Sequence, residues 1–215
     1  KLIISGPCTL SGNVRISRAK NAYLPILAAV LLSDKPIHLK NIPELQDIKT
    51  MIKLLSNLGV QVEKVGNMTT FNASTLNSHE ATYDLVKTMR ASIFVLGPLL
   101  ARLGKAKVSL PGGCAIGTRP IDLHLTNLEK LGCKITLNAG YVEAYVEKMQ
   151  PTNLRLDFPS VGATENLMMA SVFADGVTVI ENAALEPEID DLAHFLNAMG
   201  ANIKGIGTQK IEITG

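Results

Sequence analysis

The chain has 215 residues, of which 47% are apolar, and a formal net charge of only +2 from 21 basic and 19 acidic side chains. A chain of this length and apolar content can bury a sizeable core, which excludes a disordered protein, and its mixed charges offer no binding surface for nucleic acid or an anionic membrane. Its longest apolar run, 22–32, is much shorter than the roughly 20 residues that a bilayer span requires. Three cysteines in irregular positions fit neither a disulfide framework nor a zinc site, and they indicate a reducing cytoplasm.

The predicted elements repeat three times along the chain. Each unit has an apolar helix, a strand, a second helix, a turn glycine and a hairpin-like pair of strands. The apolar helices are predicted at 22–32, 92–103 and 163–174, and the strands at 36–40, 106–110 and 177–181. The second helices are predicted to begin near Leu45, Pro120 and Glu188, with Asp47, Asp122 and Asp190 in their first turns.

Glycines mark the same point in each unit. Gly59, Gly132 and Gly200 each follow a helix end and precede a short strand. Glycine accepts the left-handed conformation that a helix C-cap requires. Each unit is therefore predicted to be roughly βαβαββ, and the three units together predict an α/β domain in which helices cover sheet.

The second unit differs from the other two by an insertion. Its residues 110–120 read Leu-Pro-Gly-Gly-Cys-Ala-Ile-Gly-Thr-Arg-Pro, whereas the other units have short connections there. Because a repeat supplies the scaffold, chemistry is expected where one copy departs from the others. Cys114 lies among glycines and near Arg119, a setting that favours a reactive thiolate. By contrast, Cys133 occupies a core position of the repeat, and Cys8 is assigned no role.

Two cations stand at the starts of apolar helices. Lys20 and Arg90 occupy equivalent positions in the first two units, where Ser160 stands in the third. A helix N-terminus disfavours a cation unless an anion shares the site, although both side chains could also extend to solvent. Together with Arg119, these residues predict a clamp for a phosphate or a carboxylate.

Several segments together resemble the enolpyruvyl transferase family, in particular the carboxyvinyltransferases of peptidoglycan synthesis. The resemblance covers the whole chain and is carried by Lys20-Asn21, by 88–92 (Thr-Met-Arg-Ala-Ser), by 110–120 and by 157–166 (Asp-Phe-Pro-Ser-Val-Gly-Ala-Thr-Glu-Asn). The Pro-Gly-Gly-Cys loop separates this group from the shikimate-pathway enolpyruvyl transferases, which lack it.

The resemblance implies a fold of the α+β type, an inside-out α/β barrel built from three βαβαββ repeats. Residues 19–215 would form one such domain, with repeats at about 19–75, 83–148 and 152–215. Residues 1–18 would be a leading strand segment that belongs to a second, C-terminal domain missing from this sequence. The catalytic aspartate base and further arginines of the family would lie in that domain, so this chain alone is expected to be inactive.

The resemblance also implies the substrates and the site. An enolpyruvyl group would move from phosphoenolpyruvate to the 3′-hydroxyl of UDP-N-acetylglucosamine, with Cys114 as general acid or nucleophile. Neither a metal nor an organic cofactor is implied. Phosphoenolpyruvate would bind Lys20, Arg119 and Arg90. The nucleotide sugar would bind Asn21, Arg119, Pro120, Ile121, Asp122, Leu123, Ser160, Val161 and Gly162.

Two alternatives remain open from the sequence. The first is a shikimate-type enolpyruvyl transferase, which the Cys114 loop disfavours. The second is a non-catalytic binding or assembly module of the same architecture, since a repeat of this kind can serve as a scaffold alone. Partners are therefore expected to be small molecules and the missing domain, with no nucleic acid and no membrane.

Overall fold

The computed structural model describes residues 2–86, 89–110 and 121–215. The helices are α1 (Lys20–Ala29), α2 (Gln46–Asn57), α3 (Tyr83–Val86), α4 (Leu96–Leu103), α5 (Asp122–Lys130), α6 (Val161–Ser171) and α7 (Pro187–Ala198), with 3₁₀ segments at Val30–Leu32 and Arg90–Val95. The strands are β1 (Ile37–Lys40), β2 (Gln61–Val65), β3 (Met68–Asn72), β4 (Glu80–Ala81), β5 (Lys105–Ser109), β6 (Lys134–Asn138), β7 (Tyr141–Tyr145), β8 (Asn153–Arg155), β9 (Val177–Glu181), β10 (Asn202–Lys204) and β11 (Lys210–Thr214).

The strands of the described chain form one small sheet per predicted unit. Their orders are β1-β3-β2, β4-β5-β7-β6 and β8-β9-β11-β10. In the second and third sheets a parallel strand precedes the antiparallel ones, because β4 pairs with β5 and β8 pairs with β9 in parallel. The last two strands of each unit form an antiparallel hairpin.

Helices fill the core between these sheets. Buried residues of α6 run without interruption from Ala163 to Ser171, so this helix has no solvent face over nine residues. Helix α6 packs against α1, α4, α5 and α7. Because the most apolar helices lie innermost and the sheets lie outside them, the structure confirms the predicted α+β architecture with an inside-out arrangement.

The turn glycines have the predicted conformation. Gly59, Gly132 and Gly200 have φ angles of +104°, +94° and +110°. A side chain at Gly59 would also collide with the backbone oxygen of Thr75. Glycine is therefore required there both by its backbone conformation and by the close approach of the next segment.

The first unit departs from the predicted βαβαββ pattern. No strand forms within residues 2–19, and β1 has a hydrogen-bonded neighbour, β3, on one edge only among the described residues. Apolar side chains of this segment, including Ile4, Val14 and Ile16, are more than four-fifths exposed. A strand requires a partner, and this segment pairs with none of the described strands, so its assignment to a second domain stays a prediction.

The second apolar helix also differs from its prediction at 92–103. It is a 3₁₀ helix over Arg90–Val95 and becomes α-helical only from Leu96. The N–H of Gly97 donates to Asn166 Oδ1 at 2.7 Å instead of to the helix, and Pro98 has no N–H to donate. Two consecutive interruptions of the α-helical ladder explain the change of helix type.

Candidate functional site

Part of the predicted site lies outside the described residues. This applies to Cys114, Arg119 and Pro120, and to the side chain of Arg90, whose backbone begins the 3₁₀ helix Arg90–Val95. The roles assigned to these four residues therefore stay predictions. The remaining predicted residues lie at the starts of three helices, α1, α5 and α6.

Lys20 and Asn21 begin α1, a helix with no acidic residue in its first turn and no side-chain cap at its N-terminus. Lys20 Nζ lies 2.8 Å from Asp47 Oδ2 at the start of α2, and the two side chains are 45% and 33% exposed. The positive charge at this unfavourable position is therefore balanced by a carboxylate of the same chain. An anionic ligand at Lys20 would have to share it with Asp47.

Ser160, Val161 and Gly162 form the start of α6. Ser160 Oγ accepts a hydrogen bond from the N–H of Ala163, as an N-cap side chain does, and Thr164 Oγ1 donates to the Ser160 carbonyl at 2.8 Å. The first backbone N–H groups of a helix have no intrahelical acceptor, so they can bind a phosphate or another anion. The start of α6 therefore has the chemistry expected for a nucleotide phosphate.

Ile121, Asp122 and Leu123 form the start of α5, which packs against α6. Ile121 and Leu123 are half-buried against the core, whereas Asp122 is exposed. The structure therefore brings the two predicted nucleotide-binding segments, 121–123 and 160–162, together on two adjacent helices.

The contact between these two segments passes through His124, which is only 7% exposed. A Cβ built on Gly162 would lie 3.4 Å from His124 Cε1, so the imidazole packs directly against the first turn of α6. His124 Nδ1 lies 3.1 Å from Asn166 Nδ2, one turn further along α6. Burial lowers the pKa of His124 to about 4, so the ring is neutral near pH 7.

Asn166 is completely buried and joins three elements. Its Oδ1 accepts from the N–H of Gly97, and its Nδ2 donates to the carbonyl of Ile93 at 3.0 Å. Neither His124 nor Asn166 was assigned a role from the sequence. The position of His124 directly after the segment 121–123 was the available signal, but its partner lies 42 residues away and cannot be inferred from spacing.

A second buried polar group on α6, Glu165, was not predicted. Glu165 is 1% exposed, and neither carboxyl oxygen has a hydrogen-bond partner among the described residues. Burial, with smaller effects from Glu188 and Glu186, raises the pKa of Glu165 to about 9. The carboxyl group is therefore protonated and neutral at pH 7.

The structure confirms the core position predicted for Cys133. Cys133 is 5% exposed within the core, and burial together with Glu129 raises the pKa of its thiol to about 12. Cys8 is exposed. Within the described ranges, no group of three potential ligands is placed to hold a metal ion, and no helix has the length and apolar character of a membrane span.

Solved structures with the same fold are enolpyruvyl transferases. The enolpyruvyl transferase NikO from Streptomyces tendae superposes with a TM-score of 0.83, at 24% identity over 96% of this chain and 49% of its own. EPSP synthase from Acinetobacter baumannii superposes with a TM-score of 0.73, at 18% identity over 95% of this chain and 47% of its own. The arrangement of sheets around buried helices is therefore the fold of an enolpyruvyl transferase domain.

Sequence comparison is more specific. The family model for EPSP synthase (3-phosphoshikimate 1-carboxyvinyltransferase) matches residues 4–215. UDP-N-acetylglucosamine 1-carboxyvinyltransferase 1 of Caldanaerobacter subterraneus subsp. tengcongensis is 56% identical over all 215 residues, which cover 52% of its length. The UDP-N-acetylglucosamine 1-carboxyvinyltransferase of Aeromonas hydrophila is 56% identical over 216 aligned residues, covering 51% of its length.

The chain belongs to the EPSP synthase family of carboxyvinyltransferases. It spans about half the length of the curated relatives it matches.

Proposed function

We propose that this chain supplies one half of a UDP-N-acetylglucosamine 1-carboxyvinyltransferase. The observation that carries the proposal is the 55–56% identity, over the whole chain, with curated relatives of that name. The proposed reaction moves the enolpyruvyl group of phosphoenolpyruvate to the 3′-hydroxyl of UDP-N-acetylglucosamine, a step of peptidoglycan synthesis in the cytoplasm. The sugar hydroxyl gives up its proton as its oxygen adds to C2, while C3 gains a proton. Phosphate then leaves C2 of the tetrahedral adduct as C3 loses a proton, which restores the double bond of the enolpyruvyl group.

The proposed phosphoenolpyruvate site combines Lys20, Arg90 and Arg119. Lys20 begins α1 and Arg90 begins the 3₁₀ helix Arg90–Val95, and these two helices pack against each other. Cationic side chains at helix starts, next to free backbone N–H groups, suit a ligand that carries both a phosphate and a carboxylate. Cys114 is proposed as the general acid or the covalent nucleophile of the addition step.

The proposed nucleotide-sugar site combines Asn21 with the starts of α5 and α6. The free N–H groups of the first turn of α6, after the Ser160 cap, suit the diphosphate. Ile121 and Leu123 offer partly buried apolar side chains at the start of α5, directly after the proposed binding residues Arg119 and Pro120 in the sequence. The aspartate base of the reaction is assigned to a second domain, which is also the proposed macromolecular partner of this chain.

Titration of the 215-residue chain with UDP-N-acetylglucosamine and, separately, with 3-phosphoshikimate tests the substrate. We expect calorimetry to detect binding of the nucleotide sugar but no binding of 3-phosphoshikimate, because the Pro-Gly-Gly-Cys segment is absent from the shikimate-pathway enzymes. Preference for 3-phosphoshikimate would favour the shikimate-type alternative. Failure to bind either compound would favour a non-catalytic module.

A phosphate-release assay tests the proposal that this chain is only one half of the active enzyme. The chain alone is expected to show no turnover when both substrates are present. Addition of the separately expressed second half of a curated relative is expected to restore part of the turnover. Turnover by the chain alone near an ordinary enzyme value of about 10 per second would contradict the proposed division. The same mixture with Cys114→Ala is the matched control, and it is expected to remain inactive.

A further inference from the structure

The orientation of the Asn166 amide determines which atom of His124 carries the proton. A backbone N–H, from Gly97, faces one end of the amide, so that end is the oxygen. A backbone carbonyl, from Ile93, faces the other end, which is therefore the NH₂ group. An NH₂ group only donates, so His124 Nδ1, 3.1 Å away, accepts, and the proton of the neutral ring is on Nε2.

This hydrogen bond connects the two proposed nucleotide-binding segments. His124 directly follows the segment 121–123 on α5, and Asn166 lies one turn after the segment 160–162 on α6. The imidazole packs on Gly162 between them. Asn166 is itself fixed by its two backbone partners from the 3₁₀ helix and α4, so it provides a rigid reference point for α5.

We propose that His124 is a positioning residue for the nucleotide, because it holds the start of α5 in a fixed place relative to the start of α6. This inference rests on the proposed function. The ring does not need to touch the ligand, because its contribution is to set the distance between the two helix starts before the ligand arrives. A preorganised pair of segments binds more tightly because less ordering accompanies binding. A neutral acceptor at the position of Nδ1 is the feature that matters.

Three substitutions at His124 separate this role from simple core packing. His124→Asn keeps an oxygen acceptor near the position of Nδ1, His124→Gln moves the acceptor one bond further out, and His124→Leu removes it. The matched control is Asn197→Leu on α7, which deletes two side-chain hydrogen bonds to the backbone of Ile203, in the third unit. This control variant is expected to lose stability while the contacts of His124 stay unchanged.

The measurement is the dissociation constant of uridine diphosphate for the 215-residue chain and each variant, by calorimetry, with unfolding free energy measured in parallel. We expect His124→Leu and His124→Gln to bind about tenfold more weakly, because the start of α5 then has to be ordered when the ligand binds. His124→Asn is expected to stay within about twofold of the unsubstituted chain. Asn197→Leu is expected to lose stability without losing affinity.

The outcomes distinguish this inference from the proposed function. If the unsubstituted chain does not bind uridine diphosphate, the proposed function fails and this inference fails with it. If the unsubstituted chain binds but all His124 variants bind equally well, only the positioning role is overturned. Affinity that follows stability across all variants, including Asn197→Leu, also overturns it. If His124→Leu does not fold, the comparison between His124→Asn and His124→Gln gives the same decision.

Discussion

Asp47 is the residue whose role the structure changes most. The sequence predicts an external anion for Lys20, whereas the structure places the Asp47 carboxylate 2.8 Å from its ammonium group. A half-exposed ion pair contributes little to folding, because water and salt screen it. Its consequence is therefore expected in ligand binding, where Asp47 competes with a phosphate for the same cation.

Asp47→Asn is expected to tighten the binding of inorganic phosphate by roughly two- to fivefold, since a competing charge is removed. A phosphorus NMR titration at low ionic strength measures this, and the unfolding free energy is expected to change by less than about 1 kcal/mol. Lys20→Met in the Asp47→Asn background is the control and should abolish the gain. Unchanged or weaker phosphate binding in Asp47→Asn would contradict competition at Lys20.

Cys133 and Cys8 differ in their access to solvent. Cys133 is buried and its thiol pKa is raised to about 12, so its thiolate is scarce at any pH used for labelling. Cys8 is exposed. Brief iodoacetamide treatment at pH 8, followed by peptide mapping, is expected to label Cys133 on the order of a hundredfold more slowly than Cys8.

The same experiment tests Cys114, whose proposed role predicts the fastest labelling of the three thiols. Labelling in a denaturant is the control, because the three rates should converge once the core is open. Slower labelling of Cys114 than of Cys133 would remove the chemical support for a catalytic thiol at that position.

At the scale of elements, the junction between the 3₁₀ helix and α4 depends on one glycine. A side chain at Gly97 would collide with the backbone oxygen and with Oδ1 of Asn166. Gly97→Ala is therefore expected to destabilise the chain by about 2–4 kcal/mol, through overpacking and loss of the Asn166 hydrogen bond. Urea unfolding measures the change.

Gly162→Ala on α6 is the matched control for Gly97→Ala. Its Cβ would make ordinary contacts at 3.4 Å with His124 and Phe94, and alanine favours a helix. Its stability is expected to stay within about 1 kcal/mol of the unsubstituted chain. Equal losses of unfolding free energy in both variants would show that the contact with Asn166 is not the reason that glycine is required at position 97.

Elements were predictable from the sequence where the cause was local. The turn glycines, the apolar helices and the strands after them follow from residue type and period, and their positions agree with the structure to within about three residues. The 3₁₀ helix was missed because its cause, Asn166, lies 69 residues from Gly97. The leading strand stays a prediction, because a strand also needs a partner, which the residue pattern of 2–19 does not reveal.

At the scale of the whole molecule, His124 on α5 and Glu165 on α6 change the stability of the chain with pH in opposite directions. The pKa of His124 is lowered from 6.5 to about 4, so its contribution to stability is present above pH 6.5 and is lost as the pH falls toward 4. The pKa of Glu165 is raised from 4.5 to about 9, so its contribution is present below pH 4.5 and is lost as the pH rises toward 9. Between pH 4.5 and 6.5 the two slopes oppose each other.

Above pH 6.5 His124 is neutral in both the folded and the unfolded chain, so of these two groups only Glu165 still changes the unfolding free energy with pH. The unfolding free energy is expected to fall between pH 6.5 and 9 by up to about 1.4 kcal/mol per pH unit, as Glu165 loses a proton more easily in the unfolded chain. Glu165→Gln keeps the shape without the titration and is expected to flatten this part of the curve. Urea unfolding at intervals of half a pH unit measures both.

Glu212→Gln, at a half-buried position on β11, is the control for general charge effects. It is expected to leave the slope above pH 6.5 unchanged. A Glu165→Gln curve parallel to that of the unsubstituted chain would show that the carboxyl group is already ionised in the folded state.

The positions of the candidate site residues in the fold were more predictable than the contacts that connect them. The repeat comparison and the family resemblance selected the helix starts, and the structure places two of them, those of α5 and α6, side by side. The residues that connect those starts, His124 and Asn166, have no local pattern, because a buried hydrogen bond between two helices depends on how the helices pack. Sequence alone therefore predicts the helix starts better than the buried contacts that connect them.

The continuous burial of α6 has a consequence for how this chain tolerates variation. An ordinary surface helix accepts substitutions at every third or fourth position, where it faces water, so its pattern of tolerated changes is periodic. Helix α6 has no such face from Ala163 to Ser171. A library of random single substitutions, selected for a folded chain, should therefore show one unbroken block of nine restricted positions there. Neutral drift would accumulate in the outer sheets while this helix stayed nearly constant.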